Sequence, residues 1–171
     1  MESLKIVALC VVAGVVYGIL HDEVTVRVCL KYFTVYHPDV FHTQSPTVLA
    51  LGWGIVATWW VGLGLGLGLA LAARAGSAPK LSAVELSPKI LKLLVIVGLY
   101  AVSAGILGYY FVDAGLERNG IMPPWPNARN FYTDLWAHSA SYVAGIGGGI
   151  ILCFRVWRSR RPEPSLAITN V

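Results

Sequence analysis

Trp53-Gly-Ile-Val-Ala-Thr-Trp-Trp-Val-Gly-Leu-Gly-Leu-Gly-Leu-Gly-Leu-Ala-Leu-Ala-Ala73 carries no charged side chain, and the span it belongs to begins at Thr47. It is long enough to cross a bilayer core, which takes roughly 17–25 residues as a helix. Glycine at every second position from Gly62 to Gly68 is not a phosphate-binding loop, because no lysine or polar cap follows. The overlapping pairs Gly62/Gly66 and Gly64/Gly68 form small-x-x-x-small spacings that let a neighbouring helix approach closely. Ser45-Pro46 ahead of the run is a helix start: a capping hydroxyl, then proline in the first turn.

Three more apolar runs flank this one. Together they predict an all-α membrane protein, a bundle of four transmembrane helices with spans at about 4–20, 47–73, 89–112 and 131–157. Residues 1–161 form a single domain and 162–171 a cytoplasmic tail. The composition agrees. Of 171 residues, 56% are hydrophobic and 13% charged, with a mean hydropathy of +0.65. A soluble domain carries about 25% charged residues. The net charge of +4 collects at the ends of the spans, which excludes a nucleic-acid interface and leaves membrane lipids as the surroundings. Cys10, Cys29 and Cys153 form no Cys-x-x-Cys pair, so quinone-coupled disulfide exchange is excluded as well.

Lys5, the segment from Arg74 to Lys92 and the cluster Arg155–Arg161 fall on one side. By the positive-inside rule that side is the cytoplasm, with both termini in and the chain in a bacterial inner membrane. The run after Lys5 ends in Tyr17-Gly-Ile-Leu-His21, a poor cleavage site, so it reads as a retained span rather than a signal peptide.

Residues 21–45 hold three of the four histidines, His21, His37 and His42. Val24, Val26, Val28, Leu30 and Tyr32 alternate with other residues as in a strand. No second strand candidate exists to pair with them, which favours a helical continuation or an interfacial helix ending before Pro38. Ser87-Pro88 reads as the start of the third span, with Ser103, Tyr110, Asp113 and Glu117 near one face of it. Met122-Pro-Pro-Trp-Pro126 is a rigid turn, and Asn127 or Asn130 caps the fourth span. There Asp134, His138, Ser141 or Tyr142, Gly145 and Gly149 form a stripe facing the bundle. The glycines of the second and fourth spans begin at similar depths, roughly 15 residues or ~22 Å from their outer starts. Their faces are therefore expected to meet, with a glycine-lined homo-oligomer as the alternative.

These spans bring a candidate polar pocket to the outer end: Tyr17, His21, Asp22, Tyr110, Asp113, Glu117, Asp134 and His138, with His37 and His42 nearby. Three readings follow. The first is a polar network that fixes helix register in a structural or binding protein. The second is a divalent metal site on His21, Asp134 and His138, with Asp134 orienting the His138 ring, in a hydrolase acting on an interfacial, lipid-like substrate. The third is haem held by His21 and His138. Transport is disfavoured, since no span is broken around a mid-membrane charge.

His21-Asp-Glu-Val-Thr-Val-Arg-Val-Cys-Leu-Lys-Tyr-Phe-Thr34 with His37-Pro38, Leu51-Gly-Trp-Gly-Ile-Val-Ala-Thr-Trp-Trp-Val-Gly62, and Asp134-Leu-Trp-Ala-His138 with Ser141-Tyr142 resemble a family of small bacterial four-span integral membrane proteins. The resemblance covers most of the chain. It implies an inner-membrane location and assigns no activity to any residue.

Overall fold

The structure, a computed structural model, describes residues 1–111 and 128–160. Within them lie five helices and no strand: α1 (Glu2–Val28), α2 (Leu30–Thr34), α3 (Pro46–Arg74), α4 (Ala83–Phe111) and α5 (Ala128–Ser159). All but α2 are long and apolar enough to cross a membrane. Their outward faces are apolar. On α1, Val12, Val16, Leu20 and Val24 form an exposed stripe at a spacing of four, and Val143, Ile146, Ile150 and Phe154 continue the same theme on α5. Such faces are stable against lipid and costly against water.

Neighbouring long helices run antiparallel in two tight pairs, α1 with α3 and α4 with α5. Glycine makes the first pair possible. A Cβ on Gly18 would lie 2.5 Å from the Gly54 carbonyl oxygen, and one on Gly54 would lie 2.6 Å from the Ile19 backbone. The expected meeting of the glycine faces of the second and fourth spans is not what forms. Gly62 and Gly66 press on α1 at Cys10, Val11 and Val7. Gly68 faces the Cys153 sulfur and Gly149 the Leu65 side chain, while Gly64 and Gly145 have open space where a Cβ would stand.

The alternating segment after His21 is helical, as the lack of a partner strand implied. α1 continues to Val28, breaks at Cys29 (φ −142°, ψ 87°), and resumes as the short α2. The start of α4 differs from expectation. Ser87-Pro88 lies inside the helix, and Ser82 is the cap. The Glu85 carboxylate accepts from the Ser82 backbone N–H (2.8 Å) and hydroxyl (2.7 Å), and the Glu85 N–H donates back to that hydroxyl (3.3 Å). This reciprocal pattern is a capping box. Pro88, the sixth residue of α4, removes the N–H that would bond the Val84 carbonyl, and the Ser87 hydroxyl donates to that carbonyl instead at 2.9 Å. Asn130 is likewise no cap. It lies within α5, and its side-chain amide donates to the Val28 carbonyl at 2.9 Å, tying α5 to the end of α1. Asn127, the Met122–Pro126 turn and residues 162–171 lie outside the described residues.

The two ends of the bundle are built differently. At the end away from α2, Arg160 is 4% exposed. It donates to the carbonyls of Pro79 (2.6 Å), Ala72 (2.5 Å), Ala75 (2.9 Å) and Ala78 (3.0 Å). These are the last carbonyls of α3 and those of the following loop, groups that a helix end leaves without partners. An apolar cluster including Ile6, Leu69, Leu86, Ile90 and Val156 packs above it.

Candidate metal centre

At the α2 end, α1 contributes His21 and Asp22 and α5 contributes His138. One donor atom from each lies within 4.8 Å of the other two. α1 reaches them because it runs on past its apolar core. Asp22 is buried and His138 nearly so, with side-chain exposures of 6% and 15%. The His21 and His138 rings meet edge to face, centroids 4.6 Å apart.

His138 is oriented by its own helix. Its Nδ1 lies 2.7 Å from the Asp134 main-chain carbonyl oxygen. A carbonyl only accepts, so Nδ1 carries the hydrogen and donates it. The lone pair of the neutral ring is then on Nε2, which faces the Asp22 carboxylate at 3.2 Å. Two acceptors confront each other there, and something positive must lie between them. The separation of this pair is close to that of two ligands on one metal ion, while the His21 donor lies within 4.8 Å of both. Donors about 2.0–2.2 Å from a tetrahedral ion stand roughly 3.3–3.5 Å apart. The second ring nitrogen donating to a carbonyl is the usual way a ligating histidine is held. His21 Nε2 adds to the case, being buried without a hydrogen-bond partner.

A roof of aromatic side chains closes the site. Tyr32 stacks on the His138 ring at 4.8 Å, and Phe33 meets its edge at 5.7 Å. Burial pushes the Tyr32 hydroxyl up to about 12, so that hydroxyl is neutral at physiological pH. Below the site, Tyr17 and Ser141 share a hydrogen bond of 2.8 Å.

The structure thus brings together Tyr17, His21, Asp22 and His138 from the expected pocket. It places the others elsewhere. Asp134 is fully buried, but it reaches His138 through its main chain; both of its carboxylate oxygens lack partners. The acidic member of the three-residue set is therefore Asp22, not Asp134. Asp134 lines a separate lateral cleft of about 690 Å³ between α1, α4 and α5, as does Tyr110, which is 62% exposed. Asp113 and Glu117 lie outside the described residues. His37 belongs to the roof, its Nδ1 donating to the Tyr32 carbonyl (2.7 Å) and its ring against Trp53. His42 is exposed beside Asp39. The haem arrangement fails on distance. Two histidines on one haem iron stand on opposite faces of the porphyrin, whereas these rings touch.

Comparison of the chain with protein-family models, with curated proteins and with solved structures finds no match, so the functional reading rests on this site.

Proposed function

We propose that this protein is an integral membrane metalloprotein that holds one divalent ion of the zinc type on His21, Asp22 and His138. The observation that carries the proposal is the confrontation of His138 Nε2 with the Asp22 carboxylate, both acceptors, beside the orphaned His21 Nε2. A proton would satisfy the first pair and leave His21 bare; a metal would engage all three once the His21 ring closed on it from within 4.8 Å. Two histidines and a carboxylate leave a fourth position open, the pattern of catalytic rather than structural zinc sites. The ion would supply an acidified water and polarise a carbonyl or phosphoryl oxygen. The reaction class this supports is hydrolysis of a bond in the polar part of a membrane amphiphile. We place the α2 end outside a bacterial inner membrane and both termini in the cytoplasm, on the distribution of Lys and Arg.

A second reading has its own support. The Asp22–His138 contact joins α1 to α5 across the two helix pairs, as a register-fixing polar lock would. Elemental analysis of the purified protein separates them. About one equivalent of metal in the wild type, lost in His138→Ala and in Asp22→Asn, is the expected result. Metal-free wild type that keeps its stability in a chelator would leave only the lock. Hydrolysis is tested on p-nitrophenyl acyl esters with the metal-loaded protein, and rates equal in wild type and His138→Ala would end that assignment.

A further inference from the structure

The lateral cleft between α1, α4 and α5 holds about 690 Å³. Pockets that take small ligands run from roughly 300 to 1,000 Å³. The rim of the cleft includes Leu20 and Val24 on α1 and Val102 and Ile106 on α4, all exposed apolar side chains on spanning helices. The cleft therefore opens toward the bilayer.

Its inner wall is polar. Thr25 and Thr133 give their hydroxyl hydrogens to the main-chain carbonyls of His21 (3.1 Å) and Arg129 (2.9 Å), and Asn130 gives one amide hydrogen to Val28. The side-chain oxygens of all three keep lone pairs as acceptors. Asp134 lies in the same wall, fully buried, and neither of its carboxyl oxygens has a partner. A carboxyl accepts in either protonation state. This one has no side-chain hydrogen bond to break in turning toward a donor in the cleft. Among the described residues no lysine or arginine lines the cleft; Arg129 stands 5.7 Å over the ring of Tyr109, which does. Acceptors thus outnumber donors on this wall, and no cation faces it.

We infer that the cleft binds a membrane amphiphile whose head donates hydrogen bonds and carries no negative charge, with that head at Asp134, Asn130, Thr25 and Thr133. The hydroxyls of a glycerol head and an ammonium share this chemistry. A phosphate or carboxylate head adds acceptors to acceptors and finds no cation to meet it. Water brings the same donors, but an amphiphile also covers the apolar rim. The cleft reaches the candidate metal site through His21, which belongs to both. As the substrate class of that site the inference rests on the metal reading; as a binding site the cleft stands without it.

Three heads on one chain length provide the test. The full-length protein, in a steroid-based detergent that brings no alkyl chain, is titrated with monooleoylglycerol, oleylamine and oleate, and its metal content is measured in the same samples. Wild type is expected to bind the glyceride or the amine at least about tenfold more tightly than oleate, and the tighter of the two identifies the donor as hydroxyl or ammonium. Asp134→Leu is expected to cut that preference by about fivefold or more and to keep its metal. Val102→Trp crowds the mouth from a residue 60% exposed, where folding is not at stake. It is expected to weaken the preferred ligand by about fivefold or more and to leave the order of the heads unchanged. Equal binding of the three heads, a preference that survives Asp134→Leu, or binding indifferent to Val102→Trp overturns the assignment. So does a wild type that binds none of them, which leaves a cleft holding only water or bulk lipid. Each of those outcomes leaves the metal site standing. Wild type that keeps the preference but takes up no metal overturns the metal reading and leaves the cleft.

Discussion

The two ends of this bundle both bury charge, and they do it in opposite ways. At one end Arg160 is surrounded by four carbonyl oxygens, each within 3.0 Å. At the other, His21 Nε2, both oxygens of Asp134 and the Trp53 indole N–H are buried with no partner, and these are the unsatisfied side-chain atoms found among the described residues. An orphaned buried polar group costs about 1–3 kcal/mol. A chain that can saturate an arginine so fully at one end and leaves three residues bare at the other separates two tasks. The saturated end holds the fold together. On the proposed reading, the unsaturated end is the one that a bound ion completes.

The contrast is broken most severely at the saturated end. Arg160→Ala is expected to cost on the order of 3–5 kcal/mol, because several buried carbonyls lose their donor together. Arg160→Lys recovers little of it, since an ammonium lacks the planar fork that spans four acceptors. Unfolding in mild detergent with added denaturant measures both; a loss below about 1 kcal/mol for Arg160→Ala would mean the network is ornamental. At the unsaturated end, removing metal is expected to lower wild-type stability by about 2.7 kcal/mol if the free ion had been at a hundredfold its dissociation constant. The same chelator should leave His138→Ala unmoved, and an equal shift in both proteins would refute a site on that ring.

The next substitution has the opposite sign. Asp134→Leu removes an orphaned carboxyl without breaking a side-chain hydrogen bond, and is expected to stabilise the metal-free protein by about 1–2 kcal/mol. His138 keeps its main-chain acceptor throughout. A destabilised Asp134→Leu with intact metal binding would show that the carboxyl has a partner after all. The smallest effect belongs to Asn130→Ala, about 0.5–1.5 kcal/mol for one neutral hydrogen bond to the end of α1. Thermal scans resolve it against the Arg160 variants, and an effect as large as theirs would erase the distinction between the two ends.

The four long helices were legible because their signal is an average over many residues. No single side chain had to be placed correctly for an apolar run to read as a span. The site was only half legible, since it depends on helix rotation. His21 and Asp22 are neighbours about 100° apart on α1, and nothing local says which of them turns inward. Both do, because α1 is gripped by α3 through Gly18 and Gly54 and lies beside α5. The spacing of Asp134 and His138 was read correctly as one face, but the carboxylate was credited with a bond that the main chain makes. Gly14 and Gly18 carried the small-x-x-x-small spacing that pairs α1 with α3, and it went unread beside the more conspicuous run at Gly62–Gly68. Ser82-x-x-Glu85 was likewise overshadowed by Ser87-Pro88, although only the former has the reciprocal acceptor. Arg160 left no sequence signal beyond its charge, because its partners are carbonyls, which every residue has.

The placement of the proposed ligands on the two helix pairs has a consequence for biogenesis. His21 and Asp22 sit on the first pair to leave the ribosome, and His138 arrives on the last helix. The first pair can close on its own glycines before the second exists, but it presents only two of three donors. A truncated or misinserted chain therefore has an incomplete site, and an ion captured at full coordination would staple the late helix to the early pair.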